Sequence, residues 1–274
     1  MPELPEVETI VRDLRPHVAG RRIAEVVHLN PQVLRHPSGP ELLAELPGQL
    51  AVQLTRRGKF IHVRLDSGQT LVLHLGMSGS LTVAAPGAPV LSHTHLRLRI
   101  GPDQELRYRD PRRFGRVALG TESELVSLGV VPVLGEEPLA RGFPGPGVHR
   151  TLRASTRPVK AVLLDQAVIA GCGNIYADEA CFLARVRPSR RACRLTARER
   201  GRLLAALPIV MREAIRRRGT SFSDYRDGFG ARGEAFESLL VYGRGGHACA
   251  RCGSTLRQST VAGRTTVFCA RCQV

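Results

Sequence analysis

Apolar residues near the start of the chain recur at helical spacing. Leu4, Val7, Ile10, Val11 and Leu14 share one face, which predicts an amphipathic helix over residues 3–15, ended by Pro16 and Gly20. The period then changes. Alternating stretches at Ile23–Leu29, Leu50–Thr55, Phe60–Leu65, Thr70–Leu75 and Leu96–Ile100 are separated by turn formers such as Asp66-Ser67-Gly68. Successive strand side chains point to opposite faces, so this pattern predicts an antiparallel sandwich or barrel. From Val131 to Gly147 the chain is rich in Pro and Gly, which places a hinge there. Helical patterns follow at Val159–Gly171, Ile175–Ala184, Thr196–Arg218 and Glu234–Val241. Thr196 and Glu199 have the spacing of a capping box, and Pro208 is expected to kink or interrupt its helix. The last thirty or so residues return to short strands around cysteines. No internal repeat or low-complexity tract interrupts this order.

Charge narrows the partner. The 274 residues are 43% hydrophobic, enough for real cores in one large domain or two, yet carry a net charge of +16. The excess is spread along the chain, which points to nucleic acid. No apolar run reaches the ~18 residues of a membrane span, and the start lacks a signal-peptide pattern, so a cytoplasmic or nucleoid location and no membrane partner are expected. Of the 40 basic residues only Lys59 and Lys160 are lysines. Arginine keeps its proton whereas lysine exchanges one, so each lysine is either a chance survivor or a residue with a proton to move.

Two segments carry candidate chemistry. Cys249-Ala250-Arg251-Cys252 and Cys269-Ala270-Arg271-Cys272 are paired CxxC knuckles with sixteen residues between them. Four thiolates close a tetrahedral zinc site and leave no open position, so one structural zinc is expected; a disulfide pair or an iron centre are the alternatives. Cys172, Cys181 and Cys193 lack such spacing and read as small apolar packing residues. Between the knuckles, Ser259–Phe268 reads as a hairpin bent at Gly263; Arg264 at its tip either forks onto a phosphate or is an ordinary solvated arginine.

The second segment is the opening, Met1-Pro2-Glu3-Leu4-Pro5-Glu6. A small second residue lets the initiator methionine be trimmed, leaving Pro2 as a free secondary amine beside a carboxylate. Such α-amino groups titrate near ~7.7–8.0, attack electrophilic carbon to give Schiff bases, and a neighbouring carboxyl can pass protons. The other reading is a proline in the first turn of a helix, with acids set against the helix dipole.

Six segments in register resemble formamidopyrimidine-DNA glycosylases. They are Pro2–Thr9, Arg56–Phe60, His74–Ser80, Asp110–Gly115, Gly171–Ala180 and the terminal cysteine finger with Arg264, and together they span residues 1–272. The resemblance implies an α+β multidomain fold. An N-terminal antiparallel β-sandwich with flanking helices would occupy residues 1–133, a linker 134–149, a helix–two-turn–helix domain 150–242, and a β-hairpin zinc finger 243–274. It implies a bacterial repair enzyme that removes oxidised purines, chiefly 8-oxoguanine and formamidopyrimidines, from double-stranded DNA and then cuts the abasic site by β,δ-elimination; since one chain would supply both sides of the DNA cleft, a monomer is expected.

The resemblance also assigns roles. Pro2 attacks the sugar C1′, Glu3 shuttles a proton, Lys59 assists proton transfer near the lesion phosphates, and Arg264 holds the phosphate flanking the lesion. An everted base leaves a gap, and Met77, Arg112 and Phe114 match the residues that fill it. Asn174, with the amides of Gly171 and Gly173, is expected to grip phosphates, as are His74 and His93. Lys160 is placed with the DNA contacts through its position in a basic stretch. Gly219–Gly228 falls where the family has its lesion-recognition loop, implicating Thr220, Ser221, Phe222 and Tyr225, and its flanking glycines predict mobility. Two competing readings are an endonuclease VIII-like glycosylase for oxidised pyrimidines and a non-catalytic, zinc-containing DNA-binding protein. The Leu4-Pro5 start, Met77 and the Arg112/Phe114 pair favour the purine enzyme over the first.

Overall fold

A computed structural model describes residues 2–221 and 224–274. The chain divides into two compact units: Met1–Pro132 with Arg217–Glu234, and Val133–Arg216 with Ala235–Val274. The expected helical domain over 150–242 is therefore interrupted. Arg217–Glu234 is tied to the first helix instead, through Arg218 to Asp13 (2.7 Å) and the Thr220 amide to Glu6 (2.8 Å).

In the first unit, helix α1 (Leu4–Val18) precedes β1 (Arg21–Leu29), β2 (Leu34–His36), helix α2 (Gly39–Glu45), β3 (Leu50–Arg57), β4 (Phe60–Leu65), β5 (Thr70–His74), β6 (Ser80–Ala84), β7 (Thr94–Ile100), β8 (Gln104–Arg109), β9 (Arg116–Gly120) and helix α3 (Glu122–Ser127). The strands run in the order β2-β9-β5-β4-β3-β1-β7-β8-β6. β1 turns the corner of the sandwich: Arg21 and Arg22 pair with β3, and from Ile23 onward the strand pairs with β7 through a ladder with two irregularities. Among the described residues, the strands of this sheet pair antiparallel except β2 and β9, whose short pairing is parallel. Val7, Ile10, Val11, Leu14 and Val18 of α1 join Leu54, Leu73, Leu98 and Leu106 in one fully buried core. Each such aliphatic side chain contributes about 1.5–3 kcal/mol by leaving water.

Helix α1 runs three residues past its expected end. Pro16 lies in the last turn, where its missing N–H removes one bond, and the Ala19 amide still closes onto Arg15 O at 3.0 Å. Strand β8 escapes an apolar pattern because its buried positions include Glu105 and Arg107. Glu105 accepts from Arg97, Arg99 and Arg107 at 3.0–3.2 Å; burial alone would raise its pKa, but Arg97 and Arg107 hold it below the usual carboxylate range.

The second unit holds α4 (Pro146–Ala154), α5 (Val159–Leu164), α6 (Asn174–Leu183), α7 (Ala197–Arg216), β10 (Arg257–Val261) and β11 (Arg264–Phe268). Helix α5 stops seven residues before its expected limit. Asp165 accepts from Ala167 N at 3.1 Å, and Gln166 bonds Leu164 O, Cys172 O and the Gly171 amide, so side chains take over the backbone groups. The capping box at α7 is formed, with Thr196 N to Glu199 Oε2 at 2.7 Å and Glu199 N to Thr196 Oγ1 at 3.3 Å. Pro208 does not break α7, because Leu203, Leu204 and Leu207 before it and Met211 and Ala214 after it are buried along the same face. The helix expected at Glu234–Val241 is only a 3-10 turn, Ala235–Ser238. Buried Glu179 then accepts the amides of Leu240, Val241 and Tyr242 at 2.8–2.9 Å, which bends the chain. Among the described residues, no helix is long and apolar enough to cross a membrane.

Candidate active site and nucleic-acid contacts

Pro2 and Glu3 are buried at the head of α1, where the first-turn amides lack intrahelical partners. Glu6 supplies one partner: its Oε2 accepts the Glu3 amide at 2.9 Å, and its Oε1 accepts the Thr220 amide at 2.8 Å. One carboxylate thus binds the residue after Pro2 to the start of the 219–228 segment. The hairpin between β3 and β4 turns through Gly58 and Lys59, with Gly58 at φ 57. Arg56 anchors this turn, donating to Glu8 of α1 (2.9 Å) and to Gly58 O (3.1 Å). Lys59 is 6% exposed.

His74 lies opposite Phe60 in the β4–β5 register. Its Nδ1 accepts the Gly76 amide at 3.2 Å, which leaves the proton on Nε2. Burial, then the positive charges of Arg116 and Lys59, hold its pKa down to about 4, so at neutral pH His74 is an uncharged donor. His93 is exposed with φ 64, and its carbonyl accepts the Asp110 amide at 3.0 Å.

Met77 and Phe114 stand out of the surface, 42% and 55% exposed. The Arg112 guanidinium lies over the Phe114 ring, 4.6 Å from its centroid. The turn with Met77 and the loop with Phe114 touch backbone to backbone: a Cβ at Gly76 (φ +60) would collide with Phe114 and Gly115. Asp110, fully buried, bonds to both segments.

The 219–228 segment is only partly as expected. Thr220 and Ser221 are buried; Ser221 Oγ donates to Tyr225 O and accepts from Gly233 N. Tyr225 cannot offer its ring to a lesion. It belongs to the sandwich core at 6% exposure, and its hydroxyl donates to Arg218 O at 3.1 Å. Phe222 lies outside the described residues.

In the second unit, β10 and β11 are joined by Ala262 (φ 52) and Gly263 (φ 69), a two-residue hairpin with both residues left-handed. Arg264 follows directly and is exposed. Asn174 begins α6 and donates to Thr265 O at 3.1 Å. The Gly171 amide is already given to Gln166 Oε1 at 2.9 Å, so it is not an open phosphate donor. Lys160 is not a DNA contact. Its side chain is fully buried, paired with Asp178 at 2.7 Å, and donates to Thr265 O and Thr266 Oγ1.

The four cysteines fit zinc. Their ligand atoms lie within 4.8 Å of one another, with Cys249–Cys272 and Cys252–Cys269 sulfurs 4.0 and 3.5 Å apart. A tetrahedron of thiolates about 2.3 Å from zinc has edges near ~3.8 Å. Cys249 and Cys269 also pack with Phe182, Val241, Leu256 and Val267, so the finger shares a core with α6.

Three consecutive matches run along the chain: the formamidopyrimidine-DNA glycosylase N-terminal domain over residues 1–117, the formamidopyrimidine-DNA glycosylase H2TH domain over 134–226, and a zinc finger found in FPG and IleRS over 246–274. The formamidopyrimidine-DNA glycosylase of Symbiobacterium thermophilum is 44% identical over the whole chain and 89% of its own length. That of Herpetosiphon aurantiacus is 41% identical over the full length of both. Among solved structures, the MutM (FPG) protein of Thermus thermophilus superposes with a TM-score of 0.88 at 42% identity, covering 99% of this chain and 98% of that one. A Lactococcus lactis FPG mutant in complex with Fapy-dG-containing DNA gives 0.91 at 33% identity, covering 99% of each. The sandwich, the helical unit and the cysteine finger are those of one class of DNA repair protein. The chain belongs to the formamidopyrimidine-DNA glycosylase family. One structural zinc, held by Cys249, Cys252, Cys269 and Cys272, goes with the finger.

Sequence reasoning did not single out Glu6, Asp110 or Asp178 as organisers of the site. Glu6 and Asp110 lie inside quoted motifs, and a carboxylate beside a Pro2 nucleophile or a wedge residue was the available signal.

Proposed function

We propose that this DNA glycosylase excises oxidised purines, 8-oxoguanine and formamidopyrimidines, from duplex DNA in base excision repair, and then cleaves the strand. The observation that carries the reading is the buried Pro2-Glu3 pair at the head of α1, tied by Glu6 to the Thr220 segment. Met1 is removed and the Pro2 nitrogen attacks C1′. The N–C1′ bond forms, the glycosidic bond breaks, and the base leaves with a proton. Glu3 donates a proton to the sugar ring oxygen as the C1′–O4′ bond opens, giving an iminium. A secondary amine suits this step because its iminium is a fixed cation, which acidifies C2′–H. Loss of that proton expels the 3′ phosphate, and a second elimination expels the 5′ phosphate.

Lys59, in the hairpin beside His74, supplies proton transfer that arginine cannot. Arg264, exposed next to a rigid two-residue turn, holds the lesion phosphate; Asn174, His74 and His93 bind further phosphates. Met77, Arg112 and Phe114 enter the space of the everted nucleotide, the apolar pair as wedges and the arginine as donor to the orphaned base. The Thr220–Ser221 segment lies beside the lesion, its Thr220 amide held by Glu6. All these groups lie on one chain, which acts as a monomer in the cytoplasm. Zinc, once bound, fixes the finger and takes no part in the reaction.

Parallel incision assays on 8-oxoguanine:cytosine and thymine-glycol duplexes test the substrate class. Preferential cutting of the purine lesion is expected; preference for the pyrimidine would assign the chain to the endonuclease VIII type, and no cutting of either to a binding protein.

A further inference from the structure

We propose that Asp110 is a positioning residue for duplex opening, locking the Met77 turn to the Arg112–Phe114 loop so that the three wedge side chains advance as one body. The proposal rests on the wedge reading above. Asp110 is 0% exposed and touches no solvent from which a substrate could approach. Its Oδ1 accepts from Ser78 Oγ at 2.6 Å and Arg112 N at 3.3 Å. Its Oδ2 accepts from Gly115 N at 2.8 Å and Tyr108 Oη at 3.2 Å.

The position of each donor is what carries the argument. Ser78 directly follows Met77, Gly115 directly follows Phe114, and Arg112 is itself a wedge residue. Ser78 closes the triangle, since its oxygen also accepts the Arg112 amide at 3.3 Å. The main chain of Asp110 is equally fixed: its amide donates to His93 O (3.0 Å), and its carbonyl accepts from Arg113 N (3.1 Å) and His95 Nε2 (3.0 Å). Hydrogen bonds to an ionised carboxylate are roughly twice as strong as neutral ones. Neither Met77 nor Phe114 belongs to the buried core of the sandwich. Their direction is therefore set by the backbone beneath them, and that backbone is pinned by one carboxylate. Unstacking a base step is costly, and a wedge that must also be ordered on insertion pays conformational entropy at the same moment. Pre-ordering by Asp110 removes that second cost.

The test uses the full-length zinc protein and a duplex with 2-aminopurine beside 8-oxoguanine, read by stopped-flow fluorescence. Asp110→Asn keeps the shape but replaces one acceptor oxygen with a donor. Ser78→Ala removes only the cross-link between the two segments. Opening is expected to slow roughly tenfold or more in D110N and severalfold in S78A, with affinity for undamaged duplex unchanged. In a Phe114→Ala background D110N is expected to add little, because both act on the same step. Wild-type opening rates in a folded D110N protein, or full additivity with F114A, would overturn the proposal; if D110N does not fold, S78A decides by the same criteria. Wild-type protein that opens the duplex but releases no base contradicts the glycosylase reading and leaves this one intact. Base release with no opening signal overturns the wedge and Asp110 together.

Discussion

Lys160 and Asp178 form a 2.7 Å ion pair in which both side chains are completely buried. The pair spans α5 and α6 and reaches the finger, because Lys160 also donates to Thr265 O and Thr266 Oγ1, and Asp178 Oδ2 accepts the Val267 amide. Burial pushes the Asp178 pKa up to about 6 despite the pull of Lys160. Removing one partner strands the other. Lys160→Met is expected to destabilise the second unit by about 3–5 kcal/mol, whereas K160M combined with Asp178→Leu recovers most of the loss. Chemical denaturation of the three proteins checks this. A K160M protein of wild-type stability that merely binds DNA less well would return Lys160 to the interface.

The stability of the second unit also depends on Glu199, which pairs with Arg190. Burial opposes its ionisation, but hydrogen bonds from Arg190 and Thr196 hold its pKa down to about 2. A depressed carboxylate stabilises the fold at pH values above its unfolded pKa near 4.5, and the contribution is lost as pH falls through about 2. Glu199→Gln is therefore expected to flatten the acid limb of the stability curve below pH 4.5 while lowering stability at neutral pH. Thermal melts from pH 2 to 7 measure it; an unchanged acid limb refutes the assignment.

His74 is neutral at working pH, so the phosphate contact proposed for it would carry no charge. Each Lys or Arg neutralising a phosphate of duplex DNA contributes about 0.9 to the slope of log affinity against log salt. His74→Gln is expected to weaken binding without changing that slope, between pH 5.5 and 7.5. Arg264→Ala is expected to reduce it by about one unit. Salt titrations separate the two, and a shallower slope in H74Q would make His74 a cation.

Zinc removal is expected to release the finger and leave the sandwich folded. The four sulfurs share a core with Phe182 and Val267, whereas the first unit has a core of its own. Chelation should add the four thiols of Cys249, Cys252, Cys269 and Cys272 to those that react with a thiol reagent. Lesion-duplex binding should fall in parallel. A finger that keeps its thiols protected under strong chelation does not depend on metal.

Glu6 couples the Glu3 amide to the Thr220 amide. Glu6→Gln presents only one acceptor oxygen to two donors. Faster hydrogen exchange at Thr220 and base release slowed roughly tenfold are expected, with affinity for undamaged duplex retained. Unaltered exchange at Thr220 would show that the carboxylate does not hold the segment.

Local signals made much of this fold legible. The α1 stripe, the alternating strands and the CxxC pairs each report a periodicity or a ligand set that a few neighbouring residues define. Strand β8 was hidden because Glu105 and Arg107 neutralise each other inside, which binary patterning reads as surface. Pro208 does not interrupt its helix, for a related reason: burial on both sides of it outweighs one missing amide. Lys160 looked like a phosphate ligand because its partner Asp178 is eighteen residues away in sequence, and only the packing of α5 on α6 brings them together. The return of Arg217–Glu234 to the first unit rests on Asp13, Glu6 and Tyr225, contacts of very long sequence separation that no local pattern encodes.

The amine of Pro2 is the centre of the account, and reductive trapping reaches it directly. Borohydride added during reaction with an 8-oxoguanine duplex should give a covalent protein–DNA complex, whose peptide map places the deoxyribose remnant on Pro2 with Met1 absent. An active preparation that retains Met1, or a remnant on Lys59 or any other residue, would contradict it.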